Sequence, residues 1–393
     1  MLNPGRATMR ERTALEVFLT FLKLGLTSFG GPIAHLGYFH QELVVRRRWV
    51  GEAAYTDLVA LSQFLPGPAS SQVGFSLGLI RAGYRGALAA WAGFTLPSAV
   101  LMTAFAFGAA ALKGPIGDGL LHGLKLVAVA IVAQAVWGMA RTLCPDRERA
   151  SIAGVAAILI LVSASTAVQV GVIVIGGLAG LWLCRRGTEP STGSLGISVS
   201  RRVGIFALCT FFLLLLLPLL GARSPLLQVF DACYRSGALV FGGGHVVLPL
   251  LRNAFVGAGW VSDGSFLAGY GAAQAVPGPL FTFAAYLGAV VAGVSGALVA
   301  VIAIFLPGML VLLGALPFWE MLRRHTLAQA GMRGINAAVV GLLGAALYNP
   351  IWTGSIQSST DVALAIGAFV LLTAWRAPPV LVVILGALGG LVA

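Results

Sequence analysis

The chain has 393 residues, of which 58% are apolar and 10% charged, with 52 glycines and a mean hydropathy of +0.94. Soluble domains carry roughly a quarter charged residues, so an ordinary soluble domain is excluded; the composition fits a polytopic helical membrane protein, whose spanning helices need about 20 apolar residues each. The 25 basic residues against 13 acidic ones lie between hydrophobic segments and not on a soluble basic face, so they report membrane orientation and no nucleic-acid partner is expected. Cys144, Cys184, Cys209 and Cys233 are scattered without CxxC spacing, which supports neither a disulfide framework nor a metal site.

The basic stretch through Arg12 runs into a segment carrying Glu16 and Lys23 with no small-residue cleavage site, and reads as a cytoplasmic start, not a signal peptide. That segment breaks at Phe29-Gly30-Gly31, with Pro32 next in the chain. After the Arg46-Arg47-Arg48 loop a second segment breaks at Pro66-Gly67-Pro68 and ends in a loop with Arg81 and Arg85. Arms of about 12 to 15 residues, at about 1.5 Å each, reach only midway through a hydrocarbon core of about 30 Å. Each break therefore reads as the tip of a re-entrant pair, with both basic loops on one side. Residues 86–112 and 119–140 read as full crossings and 151–184 as a short helical hairpin. An arginine-containing linker, 185–202, precedes an uncharged segment, 203–222, that crosses once and reverses the orientation of the remaining chain.

From about residue 223 the chain repeats its first half, at a shift of about 211 residues. Phe18, Lys23, Gly25 and Phe29-Gly30-Gly31 recur as Phe230, Arg235, Gly237 and Phe241-Gly242-Gly243. Trp49-Val50, Gln63 and Pro66-Gly67-Pro68 recur as Trp260-Val261, Gln274 and Pro277-Gly278-Pro279; Leu96-Pro97 recurs as Leu306-Pro307. Loop charge is the feature that changes. The basic loops at 46–48, 81–85 and 141–149 have counterparts around 257–259, 292–294 and 349–359 without a basic residue, whereas the balanced loop with Lys113 and Asp118 corresponds to Arg323-Arg324-His325. Equivalent loops with opposite charge bias mark an inverted-topology repeat. The expected fold is an all-α polytopic membrane protein of two inverted repeats with broken, re-entrant helix pairs: 1–184 the first repeat, 185–202 a cytoplasmic linker, 203–222 the orientation-reversing helix and 223–393 the second repeat.

The breaks carry the chemistry. Pro32, Pro68 and Pro279 each come directly after a glycine and suit the first position of a helix, where a missing N–H costs nothing; Gly244 stands where the second repeat would match Pro32. Half-helix N-termini at membrane depth carry unpaired N–H groups and a positive dipole end, which must face protein, water or an anion. Four such termini make an oxyanion cradle; the alternative is that Gly and Pro only kink close-packed helices. Ser28, Gln63, Ser70, Ser71 and Gln72 in the first half, and Gln274 and Thr282 in the second, are candidate donors or else helix-to-helix hydrogen bonds. Lys23 and Arg235, six residues before each Phe-Gly-Gly, are candidate dianion partners or else snorkelling cations. Lys125, matched by Asn336, has a weaker claim. His35, His40, His122 and His245 are candidate proton relays, and Glu16, Asp57 and Asp231 the nearest acids.

Phe29-Gly30-Gly31-Pro32, Pro66-Gly67-Pro68 and their copies at Phe241 and Pro277 resemble the chromate ion transporter family in its long, two-domain form, over roughly residues 15–393. The resemblance implies a carrier in the bacterial inner membrane that exports chromate, a tetrahedral dianion close in shape to sulfate, with sulfate uptake or an anion channel as the alternative. Its expected partners are chromate, with sulfate as the alternative, the lipid bilayer and a second copy in a homodimer; no cofactor is expected. An intramembrane enzyme or receptor lacks support, since there is no HExxH, GxSxG or intramembrane aspartate pair and no soluble signal-reading domain. Inversion has a direct test. Cysteines placed at Gly51 and Ser262 should react with an impermeant reagent from opposite sides of the membrane in spheroplasts, and labelling from one side refutes it.

Overall fold

A computed structural model describes residues 13–111, 114–163, 165–185, 199–216, 224–241, 244–322 and 325–392. The start through Arg12, the linker from 186 to 198, Lys113, Gly242, Gly243, Arg323 and Arg324 lie outside the described residues. All regular structure among the described residues is helical. In the first half α1 (Ala14–Thr27) and α2 (Gly31–Phe39) flank the first break, and α2 runs on as a π-turn, His40–Arg46. Helices α3 (Glu52–Phe64) and α4 (Ala69–Ala111) flank the second, and α5 (Pro115–Leu143), α6 (Arg147–Val162) and α7 (Thr166–Leu183) complete the half. Helix α8 (Arg201–Leu215) joins the halves. The second half repeats the order as α9 (Pro225–Ala238), a 3-10 turn into α10 (Val247–Phe255), α11 (Asp263–Ala273), a 3-10 turn into α12 (Phe283–Ala315), α13 (Trp319–Leu322), α14 (Thr326–Ala346), α15 (Thr353–Ser355), α16 (Ser359–Thr373) and α17 (Pro379–Gly389).

The re-entrant reading holds in detail. Helix α3 has 13 residues, about 20 Å at 1.5 Å per residue and short of a core of about 30 Å. Helix α4 leaves helical geometry at Ala82 (φ −145°, ψ 29°) and Gly83 (φ 63°, ψ −156°), and α12 does so at Ala292 (φ −141°, ψ 27°) and Gly293 (φ 62°, ψ −151°). The chain reverses at these points. A Cβ on Gly78 would lie 2.4 Å from the carbonyl oxygen of Gly86, and one on Gly288 2.2 Å from that of Gly296, so the limbs touch backbone to backbone, and only glycine adopts the left-handed turn at no steric cost. The stretches Ala69–Ala109, Pro115–Leu143, Leu280–Phe318 and Thr326–Ser355 are long and apolar enough to span a bilayer.

Charge confirms that the first half enters and returns. The Arg81 guanidinium at the α4 reversal pairs with Glu16 at the start of α1 (3.0 Å) and lies 5.2 Å over the Trp49 ring, while Arg47 pairs with Glu42 (2.7 Å). Both basic loops and the start of α1 thus meet on one side. Two contacts between the halves show the inversion. His122, near the start of α5, bonds Asp361 near the start of α16 (2.9 Å), and Arg333, near the start of α14, reaches the Cys184 carbonyl at the end of α7 (3.4 Å). The end of α7 lies on the side where α6 begins, which is where α5 ends; α14 therefore starts where α5 finishes, and the two run in opposite senses.

The terminal hairpins are exchanged. Helices α6 and α7 pack on α14 of the other half, and α16 and α17 pack on α5. These seams are lined by glycine: a Cβ on Gly123 would fall 2.1 Å from the Gly386 carbonyl oxygen, and one on Gly334 2.1 Å from that of Gly176. Close backbone approach through small residues is how apolar helices gain packing energy in a bilayer. Gly123→Leu should therefore part α5 from α17 and lose the monodisperse peak in detergent size-exclusion chromatography. Gly154→Leu, whose site has nothing within 4 Å, should elute as wild type. Equal profiles would contradict the exchanged packing.

Candidate functional site

The four breaks interlock crosswise. The Gly67 N–H donates to the Val240 carbonyl (2.7 Å), and the Gly278 N–H donates to the Ser28 carbonyl (2.9 Å). These are one interaction seen twice, since Ser28 matches Val240 and Gly67 matches Gly278 in the repeat. Both glycines sit at positive φ, +118° and +99°, against the other half: a Cβ on Gly67 would meet Gly308 Cα at 2.8 Å, and one on Gly278 the Ser98 hydroxyl at 2.9 Å. The expectation that these glycines bring open backbone to an ion is corrected here. Their amides are engaged across the halves because lipid offers them no acceptor. The prolines are also placed differently from expectation: Pro32 lies in the first turn of α2, but Pro68 and Pro279 stand just before Ala69 and Leu280. That position needs no N–H either.

Beside the Gly278–Ser28 bond lies a cavity of about 50 Å³, several times what one water molecule needs. Gly30 and Gly31, at the N-terminus of α2, form one wall; Gln274, Gly278 and Leu280 form another; Gln134 of α5 and His245 close it. Its lining holds no carboxylate, lysine or arginine. Gln274 Nε2 is buried facing the Tyr270 hydroxyl, and Gln134 Nε2 donates to the Leu372 carbonyl (3.1 Å). His245 Nδ1 lies 2.7 Å from the Tyr270 hydroxyl; with Tyr270 donating, the neutral ring carries its hydrogen on Nε2 and becomes a donor. The uncapped start of α2 adds backbone N–H groups and a positive dipole end.

The Pro66-Gly67-Pro68 break is tied by a side chain. Gln72 Nε2 donates to the carbonyls of Pro66 (2.8 Å) and Gly308 (2.9 Å), and Phe283 occupies the matching position in the second half. On the first half's side the hydroxyls of Ser28, Ser71 and Thr95 are buried without partners, and the His35 ring faces the Ser28 backbone. Ser70 Oγ lies 3.4 Å from His35 Nδ1, and the imidazole meets Phe94 edge-on.

Other expected site residues are elsewhere. Lys23 and Gln63 are exposed. Arg235 is exposed as well, its charge paired with Asp231 (2.6 Å) and its guanidinium bonded to the Leu215 carbonyl of α8 (2.9 Å), and neither matched cation lines the cavity. The Thr282 hydroxyl is used within its own turn, on the Pro279 carbonyl (2.8 Å). Phe241 packs against the main core, and Phe29 is half-buried. His40 pairs with Glu52 (2.8 Å). Gln134 is the lining residue that sequence reasoning missed, and its signal was a lone amide within the apolar run 126–136.

The pattern of the family described as chromate transporter matches residues 15–181 and again 227–391, the two repeats. The chain is 30% identical to the chromate transport protein of Pseudomonas aeruginosa, over 84% of this chain and 79% of that one. It is 30% identical to a probable chromate transport protein of Synechococcus elongatus, over 95% and 93%. An uncharacterized transporter of Methanocaldococcus jannaschii is 26% identical over 84% and 83%. No solved structure matches this chain. Two glycine breaks per half, three of the four with proline, interlocked across an inverted repeat and matched twice by the same family pattern, place this chain in the chromate transporter family.

Proposed function

We propose that the protein is a secondary carrier that moves chromate across the bacterial inner membrane and out of the cell, holding it in the cavity between the start of α2, α5 and the Gln274–Gly278 break. The observation that carries this reading is the cavity itself, where a helix N-terminus, two glutamine amides and an imidazole converge at the seam of two inverted halves. A dianion that loses its water at this depth needs replacement donors. Neutral donors supply them without the permanent ion pair that would trap a passing ion. The names of the relatives support the substrate; the outward direction is what the family resemblance implies. The Arg47 and Arg81 cluster supports a cytoplasmic N-terminus.

Movement of one half against the other must slide or break the Gly67–Val240 and Gly278–Ser28 bonds, each worth about 1 kcal/mol net. This makes the paired breaks a natural two-state element around a fixed site. Sulfate has the same charge and shape, and the neutral donors of the cavity contain no group that separates the two ions, so sulfate is the second reading.

Flux of labelled chromate and sulfate in proteoliposomes, with and without a proton gradient, distinguishes the two substrates. In that assay Gln134→Leu and Gln274→Leu should each cut chromate flux about tenfold or more, the loss expected when a desolvated group goes unpaired at about 1–3 kcal/mol. Lys23→Gln should leave the KM within twofold. Wild-type flux in both glutamine variants removes the ion from this cavity.

Gly67→Ala and Gly278→Ala put a side chain on a left-handed residue at a cost of about 1–3 kcal/mol, in addition to the close contacts across the halves. Both should lower the unfolding temperature and abolish flux. Pro68→Ala, at a position that needs no N–H, should retain most of both. If the alanine variants at the glycines match wild type in stability and flux, the interlock is not what holds the halves together.

A further inference from the structure

We propose that the outward-facing groove between α6, α7 and α14 is a binding site for one anionic phospholipid, with an acyl chain in the groove and the phosphate beneath a crown of arginines. The groove has a volume of about 210 Å³. Its floor is low because α7 and α14 touch: a Cβ on Gly176 would come within 2.5 Å of the Ala338 Cβ. Its sides are high because Val155 and Leu159 on α6, and Ile175 and Leu183 on α7, stand out by 41–56% of their surface.

The groove ends in positive charge. Ser151, Val155 and Leu159 succeed one another at helical spacing along α6, and Arg147 continues that stripe one turn nearer the membrane surface. Helix α7 runs out beside Leu183 into Arg185. Arg149, bonded to Asp146 (2.6 Å), and Arg333, which reaches the Cys184 carbonyl, complete the crown. Four arginines thus face two carboxylates, Asp146 and Glu148, so the end carries net positive charge. Trp182, 79% exposed, and Trp137, beneath the Arg141 guanidinium (5.8 Å), mark this end as headgroup level.

A neutral lipid fills the groove as well as an anionic one, but only a negative phosphate gains from the arginines. A second copy docked here by two-fold symmetry would set one arginine crown near another, so charge argues for lipid.

The test uses the full-length protein in nanodiscs containing phosphatidylglycerol and phosphatidylcholine of matched chains, with retained lipid counted by native mass spectrometry. Wild type should retain phosphatidylglycerol about tenfold over phosphatidylcholine, and lose that preference as salt rises. Arg147→Gln with Arg185→Gln should reduce phosphatidylglycerol to the phosphatidylcholine level, and Val155→Trp, which fills the groove, should release both. Equal retention of the two lipids by wild type overturns the proposal whether or not the variants fold. So does an unchanged preference in the double arginine variant, or a lipid-independent dimer cross-linked through cysteines placed at Leu159.

Discussion

A backbone amide inside a bilayer has no water to turn to, and the architecture of this protein derives from how four broken helices meet that demand. Each half interrupts its chain twice at glycine, and proline follows at three of the four breaks. The amides of Gly67 and Gly278 find their acceptors in the other half, at Val240 and Ser28. Because those bonds need the backbones in contact, side chains are excluded at the crossing, and the breaks are drawn together at the seam between the halves.

Inversion then turns one local solution into a symmetric one, and divergence makes it asymmetric again. The two reversals, at Ala82-Gly83 and Ala292-Gly293, agree within a few degrees, so the fold of the duplicated unit is preserved. The polar side chains are not. Gln72 closes one break where its counterpart is Phe283, while Gln134 opens polar surface where its counterpart is Ala345. A cavity lies beside the Gly278–Ser28 bond. The exchanged hairpins bind each half to the other through glycine seams, so neither half buries its own α5 or α14 face alone.

Much of this was legible in the chain. Loop charge alone revealed the inversion, since arginine placement is set by the membrane and needs no knowledge of packing. The breaks were legible because glycine and proline act locally on the backbone. The candidate site was legible only in part: Gly30, Gly31, Gln274 and Gly278 do meet at the cavity, but Gln63, the repeat match of Gln274, is exposed. A repeat match preserves position along a helix and says nothing about which neighbour the partner half places against it.

The same limit explains Lys23 and Arg235. A cation within an apolar segment reads as buried, and whether its flexible stem reaches outward is decided by which face of the helix the rest of the protein covers. The sequence by itself determined the helical membrane class, the duplication, its inversion and the four breaks, because each arises from hydropathy, charge or backbone chemistry acting within a short stretch. Only the tertiary structure decided that the hairpins are exchanged, that the glycine amides bond across the halves and that Gln134 and His245 join the site. Most of those contacts link residues more than a hundred positions apart, and their partners are selected by close packing that no local pattern encodes.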